Sequence, residues 1–322
     1  MTRTLSGITP SGRLTLGNHL GALRRFATAP GTYFVADLHA LTVPHDPARL
    51  RRLTHETALL LLASGLEPDT STLFVQSHVP EHAELAYLLE CTAHVGELGR
   101  MIQFKEKGGR PGTRASLFTY PCLMAADILA HETEMVPVGG DQDQHVELTR
   151  DLAARFNTTY GETFTVPRLA RTDIGSRVAN LADATVKMSK SAPDEAAGVV
   201  RILDGPDITR RRIMRAVTDS FGEVRHDPQR QPGIANLLEI LAACTGARPQ
   251  DVAERYSSYG ALKHDVADAV LAELEPLRRR HDELAAEPAY VEQVLSRGAA
   301  RASAQAQRVL RRARAAFGIG PG

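Results

Sequence analysis

The chain has 322 residues, 43% hydrophobic and 24% charged, enough for one large domain with a smaller companion, and no apolar run approaches the roughly 20 residues that cross a bilayer. Its 38 basic and 38 acidic residues cancel, which excludes capture of a polyanion by a global field and leaves only local patches for nucleic acid. Cys91, Cys122 and Cys244 are too few and too scattered for a disulfide scaffold or a thiolate metal site, and the MTRTLSGITPSG start has no apolar signal region, so a cytoplasmic location is expected.

The first motif is Gly7-Ile8-Thr9-Pro10-Ser11-Gly12-Arg13-Leu14-Thr15-Leu16-Gly17-Asn18-His19-Leu20-Gly21, a short strand, a Pro/Gly turn and a helix beginning near Gly17. Gly12, Gly17 and Gly21 keep the backbone open to a close-lying ligand, and Thr15, Asn18 and the free amides of the helix start can hold phosphates. A glycine-rich turn without a ligand is the competing reading. Strands are expected over Thr32–Ala36 and Thr72–Val75, and helices over Leu50–Ser64 and Ala83–Ala93. Such alternation predicts an α/β fold, a doubly wound parallel sheet of the Rossmann-like kind, with a ligand crevice where the strand order reverses.

Farther on, Tyr120, Met124 and Asp127 fall on one helix face at i, i+4 and i+7. An aromatic ring, a thioether and a carboxylate suit an indole, with apolar walls and an acceptor for the N–H. A surface or capping aspartate is the alternative. Val136–Gln142 reads as a strand ending in a glycine turn. Lys187-Met188-Ser189-Lys190-Ser191 sets two ammonium groups three residues apart, which suits a pyrophosphate leaving group whose charge grows in the transition state. A solvated lysine turn competes. Gly108–Gly112 and Ala192–Ala197 read as mobile loops. From Thr209 onward the pattern is all-helical: Thr209–Val217 with Asp207 or Thr209 as N-cap, then Ile234–Thr245, Arg248–Tyr256, Leu262–Ala286, Ala289–Gly298 and Ala302–Phe317.

Together, the glycine and lysine motifs resemble the two signature motifs of class I aminoacyl-tRNA synthetases, with Thr15–Asn18 standing where other members carry His-Ile-Gly-His. FVQSHVPEHA (Phe74–Ala83), GELGRMIQFKEK (Gly96–Lys107), YPCLMAADIL (Tyr120–Leu129), VPVGGDQDQHVELTR (Val136–Arg150) and AVTDS (Ala216–Ser220) narrow the resemblance to the tryptophanyl members, over about Ser6 to Phe317. The resemblance implies activation of L-tryptophan by ATP with Mg²⁺, then transfer to tRNA(Trp), in a homodimer. The tryptophan carboxylate attacks the α-phosphate, so no protein nucleophile is required. The implied catalytic set is Thr15, Asn18, Lys107, Lys187 and Lys190. ATP would meet Thr9, Pro10, Ser11, Gly17 and Gly140, with Gly139 and Asp141 at the ribose, Val178 at the adenine, and Met188, Ser189 and Ser191 of the lysine turn. Tryptophan would meet Leu5, Gly7, His39, Tyr120, Met124, Asp127, Val136, Val138 and Gln142. For His39 a satisfied core histidine competes, and for Lys107 a solvated loop lysine.

The resemblance further implies a catalytic domain over 1–182, a helical anticodon-binding domain over 183–293, and a last helix over 294–322 that packs back on the first. No resident metal site is expected. Arg210, Arg211, Arg212, Arg215, Arg278–Arg280, Arg311, Arg312 and Arg314 are candidates for tRNA phosphates, none individually assigned. Leu5, Thr9, Ala36 and Gly140 depart from residues common in the family, so the fine shape of the pocket is open. The rival activities are a tyrosyl enzyme of the same fold and an auxiliary, inhibitor-resistant or regulatory paralogue.

Overall fold

The structure, a computed structural model, describes residues 3–26, 29–138, 142–171 and 178–320. Strands β1 (Leu5–Ile8), β2 (Thr32–Val35) and β3 (Thr72–Val75) pair in parallel, Leu5 opposite Thr32 and Thr32 opposite Thr72. Their side chains alternate with the period of two that a pleated strand imposes. Ile8, Tyr33, Val35, Leu73 and Val75 enter the core on one face, and Leu5, Phe34 and Phe74 the core on the other. β4 (Met135–Val138) and β5 (Arg168–Arg171) form a second parallel pair. A bridge between Thr4 and Met135 sets β4 beside β1, giving the order β3-β2-β1-β4-β5. The order reverses between β1 and β4, which is where a doubly wound sheet opens its ligand crevice.

After β1 come α1 (Leu16–Asn18), a π-helical turn at His19–Leu23 and α2 (Arg24–Phe26). α3 (Asp37–Ala40) follows β2, and α4 (Pro47–Ala63) starts with Asp46 accepting the Arg49 N–H at 2.6 Å and proline at the first turn. α5 (Glu81–Glu90), α6 (Val95–Leu98), α7 (Ile102–Lys107), α8 (Ser116–Ala130) and α9 (Asp143–Tyr160) lie between β3 and β5. β6 (Ala179–Asn180) and β7 (Asp183–Lys187) pair antiparallel. The chain ends in α10 (Pro206–Met214), α11 (Pro232–Thr245), α12 (Pro249–Ala253), α13 (Tyr259–Ala285) and α14 (Pro288–Phe317). The core that contains Ile8 and Val35 continues through Leu238 of α11 and Val270 of α13, so the helical region shares apolar packing with the sheet.

Two sequence expectations are corrected. α10 begins at Pro206 with Gly205 in the cap position, so neither Asp207 nor Thr209 caps it; proline's fixed φ suits a first helical position. Thr209 is fully buried, and its hydroxyl accepts a hydrogen bond from Arg278 at 3.0 Å. The expected break at Gly298 is absent, and α14 runs unbroken past it. A Cβ at Gly298 would collide with the backbone oxygen of Leu73, so the glycine is a contact point where α14 presses onto β3. Beyond it, Ala302, Ala306, Val309 and Ala313 carry α14 across the second core.

Candidate active site

A cavity of about 600 Å³ opens at the carboxyl ends of β1, β2 and β4. β1 and the turn after it contribute Leu5, Gly7, Thr9 and Ser11; Ala36 and His39 follow β2; Val136 comes from β4 and Gln142 precedes α9. From α8, Tyr120, Met124 and Asp127 all line it, as their spacing requires. Lys107 at the end of α7 and Lys190 with Ser191 complete the rim.

Asp127 is the polar centre of this cavity and is only 2% exposed. Its Oδ2 accepts from His39 Nε2 at 2.8 Å, and its Oδ1 accepts from Gln76 Nε2 at 2.7 Å and from His82 Nδ1 at 2.6 Å. Burial alone would raise its pKa, but the bonds from His39 and His82 outweigh it and hold the carboxyl at about 2. It is therefore a carboxylate at neutral pH. Behind it, His82 Nε2 meets His131 Nε2 at 3.0 Å, and the backbone oxygen of His131 accepts from Gln305 of α14 at 2.7 Å. Gln76 is itself fixed by the Leu38 N–H at 3.1 Å. Across the cavity, Tyr120 is hydrogen-bonded to His145, and burial raises its phenol above the ordinary value.

The two signature motifs interlock. A Cβ at Gly12 would collide with the backbone oxygen of Lys190, so only glycine lets the lysine turn lie against the first motif. Lys190 Nζ donates to the Thr9 carbonyl at 2.6 Å. Burial, helped by the neighbouring Lys187 charge, pulls this ammonium down to about 8. Lys187 and Ser189 are exposed and Pro10 is buried, and all three are outside the cavity lining. Val178 and Met188 are buried and belong to the core, with Gly17 beside them. Thr15 does not face the cavity: it is fully buried, caps α1, and donates its hydroxyl to Asn18 Oδ1 at 3.0 Å, while the Thr15 N–H donates to the same oxygen at 3.0 Å. Thr15 and Asn18 thus hold each other through the Thr15 hydroxyl and N–H and the Asn18 Oδ1. Lys107 Nζ donates to Gln103 Oε1 at 3.0 Å on the exposed rim.

Gly139, Gly140, Asp141 and the Val138 side chain lie outside the described residues. The Ala192–Ala197 segment, expected as a mobile loop, is tethered: Arg49 pairs with Asp194 at 2.8 Å, and Arg201 donates to Pro193 O at 2.5 Å. The arginine candidates also divide. Arg278 is buried and donates to Ile202 O at 2.7 Å; Arg212 pairs with Asp204, Arg312 with Glu132 and Arg314 with Glu84. Arg211, Arg215, Arg279, Arg280 and Arg311 are exposed.

Sequence reasoning missed Gln76, His82, His131 and Arg201. Gln76 and His82 sit inside the quoted FVQSHVPEHA stretch, where polar residues amid apolar ones were a usable signal. Nothing local marks His131 or Arg201.

The family described as tRNA synthetases class I (W and Y) matches residues 1–275. A tryptophan–tRNA ligase 1 of Streptomyces coelicolor is 55% identical over 331 residues, spanning 100% of this chain and 98% of the relative. The crystal structure of tryptophanyl-tRNA synthetase from Mycoplasma pneumoniae superposes with a TM-score of 0.90 at 34% identity, covering 99% of this chain and 98% of that one. The Campylobacter jejuni tryptophanyl-tRNA synthetase complexed with ADP and tryptophan gives 0.83 at 30% identity, covering 99% and 100%. The chain therefore belongs to the class I tRNA synthetases of the W and Y family.

Proposed function

We propose that this cavity holds L-tryptophan with its indole N–H on Asp127, and that Lys190 faces the triphosphate of ATP. The enzyme is a tryptophan–tRNA ligase. One observation carries the side-chain assignment: a carboxylate offers about four acceptor positions, and three are taken by His39, Gln76 and His82. The remaining acceptor, held ionised among Tyr120, Met124 and Val136, matches one donor on an otherwise apolar ring. An amino acid lacking that donor would leave a buried carboxylate underbonded, which a site of this kind rejects strongly.

In the first step a carboxylate oxygen of tryptophan bonds to the α-phosphorus and the bond to pyrophosphate breaks. In the second, a terminal ribose hydroxyl of tRNA takes the aminoacyl group and AMP leaves. The chain's own contribution is placement and charge. Lys190, already desolvated and anchored on Thr9, offsets charge on the departing pyrophosphate; Lys107 adds to it from the rim, and the exposed Lys187 from outside the cavity lining. Mg²⁺ would enter with the triphosphate of ATP. Thr15 and Asn18 keep the first motif's helix start in shape, and Thr9–Ser11 form the wall between the two substrates.

The same reading assigns 1–182 to catalysis and 183–293 to the anticodon, with tRNA phosphates meeting the exposed Arg211, Arg215, Arg279 and Arg280. Self-association would use the exposed apolar Tyr87, Val95 and Ile102. No helix of the described residues is long and apolar enough to cross a membrane, and the reading puts the enzyme in the cytoplasm, beside its tRNA. Pyrophosphate exchange with each of the twenty amino acids tests the whole. Exchange driven by tryptophan is expected; exchange driven by tyrosine instead would overturn the assignment.

A further inference from the structure

We infer that Arg201 is a positioning residue that locks the Lys187–Ser191 turn to the first motif, an inference that rests on the reading of Lys190 given above. Arg201 is 1% exposed and among the largest fully buried side chains. Its backbone lies against the first motif. Thr15 and Arg201 form a β-bridge, Val200 O accepts the Leu16 N–H at 2.9 Å, and the Ile202 N–H donates to Leu14 O at 3.0 Å. Its side chain crosses to the segment leaving the lysine turn. Nη2 donates to Pro193 O at 2.5 Å and to Ala192 O at 3.3 Å, and Nε lies 3.8 Å from Asp194 Oδ1. Asp194 is gripped from outside by Arg49 of α4, with Nη1 at 2.8 Å and Nη2 at 3.2 Å.

Stability is a poor explanation for such a residue. Burial works against its charge, and Nε and Nη1 are buried with no hydrogen-bond partner. An apolar side chain of similar volume is often neutral or better in such a place. What Arg201 alone supplies is a fixed point for two successive carbonyls just after the lysine turn. The turn has little slack, because Lys190 O rests against Gly12 and Lys190 Nζ reaches Thr9 O at 2.6 Å. A displacement of about 1 Å in a reacting group can cost on the order of 10²-fold in rate, so release of residues 192–194 would be felt at Lys190. Arg49 is the outer tether of the same segment and should matter less, because its side chain is 41% exposed.

The test uses the full chain with Arg201→Met, Arg201→Lys, Arg49→Ala and Lys190→Ala. The kcat of tryptophan-dependent pyrophosphate exchange is expected to fall by about 30- to 100-fold in Arg201→Met and by about 3- to 10-fold in Arg49→Ala. The KM for tryptophan and the transfer from preformed tryptophanyl-adenylate to tRNA should hold, and Arg201→Lys should recover part of the loss. Combined with Lys190→Ala, Arg201→Met should add less than about twofold, since both act on one group. A folded Arg201→Met with wild-type kcat, or losses that simply multiply with those of Lys190→Ala, overturns the inference. If Arg201→Met does not fold, Arg49→Ala decides, and an unchanged kcat there overturns it equally. Unimpaired exchange in Lys190→Ala would instead overturn the underlying reading of the turn.

Discussion

His82 Nε2 stands 3.0 Å from His131 Nε2, and the opposite edge of the His82 ring, Nδ1, is 2.6 Å from Asp127. Nδ1 of His82 serves the carboxylate, and its Nε2 shares one hydrogen bond with His131 Nε2. His131 Nδ1 is buried with no hydrogen-bond partner. The Phe74 ring lies 5.7 Å from His82 and 5.6 Å from His131 between centroids, so the chain of rings is walled off from water. The far end is held by Gln305, which ties the polar centre of the cavity to the last helix.

His131 makes this relay pH-dependent. Burial, with His82 next in weight, lowers its pKa to about 3, against about 6.5 in an unfolded chain. The unfolded state therefore binds the extra proton, and stability contributed by His131 is present above about pH 6.5 and lost as pH falls toward 3. At pH 5 the loss amounts to about 2 kcal/mol. In His131→Gln, whose amide can still hydrogen-bond to His82, the drop in urea-unfolding free energy between pH 7 and pH 5 should shrink by about that amount. An identical drop in both proteins would contradict the assignment.

Asp127→Ala should weaken tryptophan activation by about 2–4 kcal/mol in kcat/KM, as expected for a lost charged hydrogen bond in a buried site. The KM for ATP should be little changed. The chain contains no tryptophan, so bound substrate is the only indole and its fluorescence reports binding directly. Wild-type affinity for tryptophan in the variant would end the proposed role.

For Lys190 the active form is the ammonium, and in the free enzyme it is held near 8. Because kcat/KM for ATP reports groups of the free enzyme, it should decline above about pH 8. Lys190→Arg keeps its charge at every accessible pH, so its profile should stay flat through the same range, at a lower level. A wild-type profile that remains level to about pH 9.5 would rule out this role for Lys190.

Gly298→Ala sets local against tertiary preference. Alanine is favoured over glycine by about 1 kcal/mol inside an exposed helix, yet here its Cβ would meet the Leu73 carbonyl. Overpacking of this kind costs about 1–3 kcal/mol, so the melting temperature should fall rather than rise. A rise would show that α14 can stand off from β3 without penalty.

Much of this protein was set by short-range pattern. The β2 and β3 runs, the face shared by Tyr120, Met124 and Asp127, and the glycine and lysine motifs are legible because strand and helix periods and close-approach glycines act within a few residues. Other features depended on contacts between distant segments. Gly298 read as a helix break until β3 was seen beneath it. Arg278 read as a phosphate-binding surface residue until the Ile202 carbonyl was found at 2.7 Å. The bond that closes the Thr15 hydroxyl on Asn18 is not marked by the spacing of the motif. His131 and Arg201 gain their roles from partners 49 and 8 residues away, respectively, in His82 and Pro193. A buried polar group is defined by what the fold brings to it, and one-dimensional periodicity records which side of an element is apolar but not which carbonyl, carboxylate or ring will arrive to meet it.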